Sequence, residues 1–269
     1  MKKLLFIDVD GTLTDKHGAV RELTRDAVKK ARENGHVAIL CTGRSKPEII
    51  PEILEVGFDG LIGANGAYIE YQNEVLFETK LPKDLVVDIL DYFNEQKIGY
   101  YLETNHGLYG SDNFEEVLVK VPDGLTLQSA KWFLVLLKPI TQKVNLAEVN
   151  KISYISITVE NRDIVRRYSD RADVVKNTVF VFGKDSGEIA IKNINKFTAI
   201  RYLISQKQLS HYQTMAIGDG DNDLKMFEAV EVGIAMGNAS DNLKKIANQL
   251  TEDVEEDGFY HAFVRNGLI

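Results

Sequence analysis

Leu4-Leu5-Phe6-Ile7-Asp8-Val9-Asp10-Gly11-Thr12 sets four unbroken apolar residues before two carboxylates spaced two apart. A strand with one wet face would alternate; an unbroken run suits a strand buried on both faces, as in a parallel sheet. Four further stretches repeat the layout. Val37-Ala38-Ile39-Leu40 leads to Thr42-Gly43-Arg44, and Leu61-Ile62 to Asn65-Gly66. Met215-Ala216-Ile217 leads to Gly218-Asp219-Gly220-Asp221-Asn222-Asp223, and the run ending at Met236 to Gly237-Asn238.

Helical patterns separate several of these runs. Thr24 is placed to cap a helix that turns Ala27, Val28 and Ala31 inward, with Gly35 beyond its end. Pro47 suits the first turn of the next helix. Phe197, Ile200, Leu203 and Ile204 mark another, and Ser240 is placed to cap a helix carrying Leu243, Ile246 and Ala247. This alternation predicts an α/β fold with a doubly wound, Rossmann-like parallel-sheet core, whose ligands sit beyond the carboxyl ends of the strands. The polar clusters fall at those ends.

The middle of the chain follows another pattern, expected to form a smaller α+β domain over 83–187 inserted into a core of 1–82 and 188–269. Residues 98–104 and 108–111 read as a hairpin around Asn105-His106-Gly107. Residues 152–159 and 178–182 read as strands, 162–168 as a helix, and Trp132 with Phe133, Leu134 and Val135 as part of that domain's core. The core pattern is expected to resume near Glu188-Ile189-Ala190-Ile191.

With 269 residues, the chain is long enough for two buried cores. Its 32 basic and 40 acidic side chains give a net charge of −8, which offers no bulk attraction to a nucleic-acid backbone. One cysteine, Cys41, excludes an internal disulfide framework, and its apolar neighbours suggest a buried, inert thiol. The apolar stretch after Met1-Lys2-Lys3 is short for a signal peptide, and none reaches bilayer-spanning length. The expected address is the cytoplasm.

Asp8 and Asp10 at the mouth of a sheet repel each other, so a cation or a proton must compensate. A hard divalent ion such as magnesium takes oxygen ligands, and Asp219 from another strand end could complete its site. A calcium helix-loop-helix loop is excluded. Started at Asp219 it meets Leu224 where Gly is needed and Val230 where Glu is needed; started at Asp8 it fails at Leu13 and Ala19. Aspartates also serve as turn and cap residues, a sufficient reading for Asp221 alone. Thr42 and the Gly43 amide could donate to a phosphate oxygen. Lys196, between a strand pattern and a helix pattern, reads equally as a solvated charge or as the cation beside a carboxylate nucleophile.

In order, Asp8-Val9-Asp10-Gly11-Thr12, Thr42-Gly43, Lys196 and Gly218-Asp219-Gly220-Asp221-Asn222-Asp223 resemble the four motifs of the haloacid dehalogenase-like hydrolases, specifically the Cof-type phosphatases with a large α/β cap. The chain departs from that pattern at Phe197, where the family usually has glycine. The resemblance implies a phosphoric monoester hydrolase in which Asp8 attacks phosphorus and Asp10 acts as acid and base. It implies Mg2+ held by the Asp8 carboxylate, the Asp10 carbonyl and the Asp219 carboxylate, with Asp223 orienting Lys196 or a metal-bound water. Thr42, Gly43, Lys196 and Asn222 would hold the phosphate oxygens, and the cap would close over a small phosphorylated metabolite. Glu103, Asn105 and His106 could then contact a sugar or base; an ordinary exposed turn is the plainer reading of that hairpin. Ion-pumping relatives usually carry threonine in place of Asp10, so Asp10 favours phosphatase or mutase chemistry. A sugar phosphomutase and a catalytically silent binding protein are the alternatives.

Overall fold

The computed structural model describes residues 2–122, 124–140, 144–176 and 182–269. The strand expected over 178–182, apart from Phe182, and the Trp132 side chain lie outside the described residues. The chain forms two compact units. One comprises Met1–Arg44, Ile49–Glu78 and Ile194–Ile269; the other comprises Ser45–Glu48 and Thr79–Asn193.

The first unit begins with β1 (Lys3–Ile7), α1 (Glu22–Glu33), β2 (Val37–Cys41), α2 (Pro51–Leu54), β3 (Gly60–Gly63), β4 (Tyr68–Tyr71) and β5 (Glu74–Glu78). The second contains α3 (Lys83–Glu95), β6 (Gly99–Thr104), β7 (Gly107–Gly110), α4 (Phe114–Leu118), α5 (Leu127–Leu134), β8 (Leu137–Pro139), β9 (Lys151–Ile155), α6 (Asn161–Tyr168), β10 (Ala172–Lys176) and β11 (Ser186–Ile191). The first unit then resumes with α7 (Lys196–Gln206), β12 (Gln213–Gly218), α8 (Leu224–Glu228), β13 (Val232–Ala235), α9 (Asp241–Ile246), β14 (Gln249–Leu250) and α10 (Gly258–Arg265).

The first unit's sheet has the order β14-β13-β12-β1-β2-β3-β4-β5. Its strands run parallel from β14 to β3, and β4 and β5 add an antiparallel edge that the apolar runs did not announce. The unbroken run in β1 has a direct cause. Leu5 and Ile7 pack into a layer with Ala27, Val28, Ala31 and Phe259, while Leu4 and Phe6 pack into the opposite layer with Ala199, Ile200 and Leu203. Both faces are dry, so no polar alternation survives.

Two helix starts and one buried position differ from expectation. Helix α1 begins at Glu22 with Arg21 as its extended cap residue, which puts Thr24 inside the helix on the buried stripe. Pro47 lies in a short 3-10 turn, Lys46–Glu48, and Pro51 opens α2. Ser240 does cap α9, its hydroxyl accepting the Leu243 amide at 3.2 Å, but Ile246 is exposed rather than buried.

The second unit's sheet has the order β10-β11-β9-β6-β7-β8, with only the β7–β8 pair parallel. Apolar side chains of α3 and α6 cover one face, and those of α4 and α5 pack against the other. The expected hairpin is present, closing at Thr104 opposite Gly107. Strand β9 stops at Ile155 instead of 159, because the Ser156 hydroxyl accepts the amides of Thr158 and Val159 and bends the backbone away.

Glu188 to Ile191 corrects an expectation. These residues lie in β11, paired with β9 and β10 in the second sheet, and the first unit resumes at Ile194. The earlier junction falls after Glu78 rather than at 82. A strand's sequence carries its burial pattern but not its partner, and pairing decides which sheet it joins.

Candidate active site

Strand β1 lies between β2 and β12 with Ile7 opposite Leu40 and Ile217, and the Asp8 amide extends this ladder to the Ile217 carbonyl at 3.1 Å. Parallel pairing therefore delivers Asp8 and Asp219 to the same end of the sheet. Lys196 arrives from another direction as the first residue of α7, set by reciprocal Asn195–Thr198 capping. Phe197, where the family usually has glycine, fits within that helix and packs against the layer of Ile200 and Leu203.

The Lys196 ammonium, 1% exposed, donates to Asp8 Oδ1 and to Asp223 Oδ1, each at 2.6 Å. The other Asp223 oxygen accepts the amides of Asp219 at 3.0 Å and Gly220 at 3.1 Å. Asp223 thus ties the loop to the lysine. Thr12 Oγ1 donates to Asp219 Oδ1 at 3.1 Å, and Asn238 Nδ2 reaches the Gly11 carbonyl at 2.8 Å and Asp219 Oδ2 at 3.4 Å. Gly11 has φ +72°, and a Cβ there would come within 2.9 Å of Asp219 Cγ, so both backbone and space require glycine.

Carboxylate oxygens of Asp8, Asp219 and Asp223 lie within 4.8 Å of one another. Three carboxylates crowd together, and the one ammonium pairs with two of them. Burial and the Asp223 carboxylate raise Asp8 well above the usual carboxylate range, and the same two causes push Asp219 up to about 7. Burial alone would lower Lys196, but the Asp223 and Asp8 carboxylates outweigh it and keep the ammonium charged. Surplus negative charge on oxygen donors at a sheet mouth fits a hard divalent cation. Cys41 is buried, its thiol pushed up to about 12 by burial, which makes it a poor nucleophile.

The remaining expected residues are distributed unevenly. Asp10 points to Arg44, which grips its carboxylate through Nη2 at 2.6 Å and Nε at 3.0 Å. Thr42 is buried and its hydroxyl accepts the Arg44 amide at 3.1 Å; Gly43 follows in the same turn. Asn222 is exposed, with its carboxamide oxygen folded back over Gly220. In the second unit, Glu103 is fully buried, accepts the Ser153 hydroxyl at 2.6 Å and pairs with Lys151 at 3.3 Å. Burial and Glu48 raise its carboxyl well above the usual range. Asn105 accepts Asn150 Nδ2 at 3.0 Å, while His106 is exposed at the turn. Glu103 therefore sits within a sheet-face network, not on an exposed turn.

Sequence reasoning assigned no role to Thr12, Arg44 or Asn238. Thr12 and Arg44 lie within or beside motifs already quoted, and Asn238 follows the fifth apolar run, so their place at strand ends was the available signal.

A carboxylate nucleophile candidate held beside an ammonium at the carboxyl end of a doubly wound sheet suits phosphoryl transfer. The chain belongs to the haloacid dehalogenase-like hydrolase family, whose model matches residues 5–263. Within it the protein is a Cof-type phosphatase, a phosphoric monoester hydrolase, and phosphatases of this superfamily generally use a divalent metal. It is 25% identical to phosphatase YwpJ of Bacillus subtilis, covering 96% of this chain and 98% of that protein. It is 26% identical to pyridoxal phosphate phosphatase YbhA of Escherichia coli, covering 99% of both. A solved sugar phosphatase of HAD subclass IIB superposes with a TM-score of 0.80 at 23% identity, covering 100% of both chains. Among the described residues, no helix is long and apolar enough to cross a membrane.

Proposed function

We propose that the protein is a magnesium-dependent phosphatase of a small phosphorylated metabolite, a sugar phosphate or similar, working through an aspartyl phosphate on Asp8. The observation that carries this reading is the buried Lys196 ammonium fixed between Asp8 and Asp223 beside Asp219. Lys196 occupies one Asp8 oxygen, and among the described residues no hydrogen-bond donor reaches the other, which is the oxygen left to attack phosphorus. Thr42, the Gly43 amide, Lys196 and Asn222 hold the non-bridging oxygens.

Asp10 protonates the leaving oxygen and then takes a proton from the water that hydrolyses the intermediate. Both Asp10 oxygens accept from Arg44 in this structure, so in this reading Asp10 turns from Arg44 to the substrate during turnover. The Asp8 and Asp219 carboxylates with the Asp10 carbonyl would hold Mg2+, which supplies charge neutralisation for the approach of one anion to another. Asp223 keeps Lys196 oriented.

The second unit, 83–187 by sequence and Thr79–Asn193 by compactness, acts as the substrate-specificity domain in this reading, with Glu103, Asn105 and His106 as its polar candidates. Relatives named for pyridoxal phosphate and for a ribitylamino-uracil phosphate support a small-metabolite substrate, and the net charge of −8 disfavours nucleic acid. A cytoplasmic address accords with the single cysteine. Phosphate release from p-nitrophenyl phosphate and a panel of phosphorylated metabolites is expected with Mg2+ and lost with chelator. Isomerisation that needs a sugar bisphosphate activator would instead identify a mutase, and no metal-dependent release from any substrate would overturn the proposal.

A further inference from the structure

Three successive left-handed residues follow strand β3: Ala64 at φ +48°, Asn65 at +54° and Gly66 at +107°. Left-handed backbone strains a residue that carries a Cβ, and such strain persists where the surroundings over-determine it. Here the surroundings are the Thr42–Gly43 turn. The Ala64 amide donates to the Arg44 carbonyl at 2.8 Å and the Asn65 amide to the Thr42 carbonyl at 3.2 Å, clamping the backbone on both sides of Gly43.

The Asn65 side chain lies over the glycine between those clamps. A Cβ built on Gly43 would stand 3.2 Å from Asn65 Oδ1 and 3.7 Å from its Cγ and Nδ2. Gly66 continues the brace towards Lys196: a Cβ there would come within 2.7 Å of the carbonyl of Asn195, the cap residue of α7. One strained turn therefore abuts two elements that carry phosphate-binding groups. Glycine at position 65 would adopt the same backbone without strain, so what asparagine adds is its carboxamide.

We propose that Asn65 is a positioning residue, whose carboxamide braces the Gly43 turn and so holds Thr42 and the Gly43 amide in register for a phosphate group. This rests on the phosphate-binding role given to that turn above. The test compares the wild-type protein with Asn65→Gly and Asn65→Ala in Mg2+ buffer. Calorimetry reads affinity for inorganic phosphate, kinetics on p-nitrophenyl phosphate separates kcat from KM, and melting reports stability.

Asn65→Gly is expected to melt within about 2 °C of wild type yet bind phosphate about tenfold more weakly, with kcat/KM falling in step. Asn65→Ala should melt lower but share that weakened affinity, because it lacks the same carboxamide. Wild-type affinity in Asn65→Gly, affinity losses that follow melting temperature across the two variants, or a wild type that binds no phosphate would each overturn the inference. Wild-type binding without hydrolysis would count against the functional proposal alone, leaving the affinities to decide this one.

Discussion

Each unit buries a lysine between two carboxylates, and the two arrangements differ in where the backbone puts them. Lys196 joins Asp8 and Asp223, residues of loops at the carboxyl end of the first sheet, with Asp219 as a third carboxylate beside them. Lys151 sits at the start of β9, directly opposite Glu103 of β6, and donates to Glu188 of β11 at 3.0 Å. The first trio closes across loops that converge from distant sequence; the second closes across neighbouring strands of one sheet face. A buried ion pair by itself therefore does not mark chemistry. Placement at strand ends, where loops bring oxygen donors together, distinguishes the first.

The sharpest way to break that contrast is to remove the proposed nucleophile. Asp8→Asn should lower kcat on p-nitrophenyl phosphate by about 10⁴-fold or more, while the far-ultraviolet circular dichroism stays native. A variant that keeps a tenth of the wild-type rate would remove Asp8 from the chemistry. Lys196→Met should follow closely, losing about 10³-fold in kcat and also about 3–5 kcal/mol of stability, because Asp8 and Asp223 would face each other without their shared cation. Urea unfolding checks the second figure, and an unchanged midpoint would show that the ammonium does not hold the cluster.

Lys151→Met sharpens the comparison from the other side. Breaking the buried pair should cost about 3 kcal/mol, with kcat on p-nitrophenyl phosphate unchanged, since this small substrate has no polyhydroxyl or base group to be selected. Equal losses of rate in Lys151→Met and Lys196→Met would erase the distinction between the two lysines.

The same contrast explains what could be read from the sequence. Residues at the ends of unbroken apolar runs announce themselves, because a carboxylate directly after a doubly buried strand has few structural reasons to be there; the convergence of Asp8 and Asp219 at one end of the sheet is legible for that cause. Lys151 and Glu188 alternate with Ile152 and Ile189, the pattern of any strand with one polar face, so nothing local shows that this face is buried. Partner choice is equally silent, so the pattern of Glu188 to Ile191 does not tell which sheet β11 joins. Arg44 was visible as a residue but not as a grip on Asp10, since that contact depends on how two loops meet. The β4–β5 edge is hidden in the sequence because Glu70, Glu74 and Glu78 interrupt its apolar character.

The smallest expected effect separates the two clusters without a mutation. Burial and the Asp223 carboxylate push Asp219 up to about 7 in the folded protein, against about 4 in an unfolded chain. Between those values the folded state keeps a proton that the unfolded state has released, so the stability of chelator-treated protein should fall as pH rises from about 4 to about 7. Asp8, also raised, adds to the same slope, whereas Lys196, raised as a base, loses its contribution only in alkali. Glu103 is raised in the second unit and contributes there with the same sign. Magnesium bound as proposed would favour the ionised carboxylates of the first cluster, so it should stabilise most at the upper end of the window and flatten only the core's share of the slope. Urea midpoints across this range, with chelator and with Mg2+, test both parts. A stability that rises with pH in chelator would mean that crowding and burial do not hold protons on these carboxylates, and a slope that Mg2+ leaves untouched would mean that the sheet mouth is not where the cation binds.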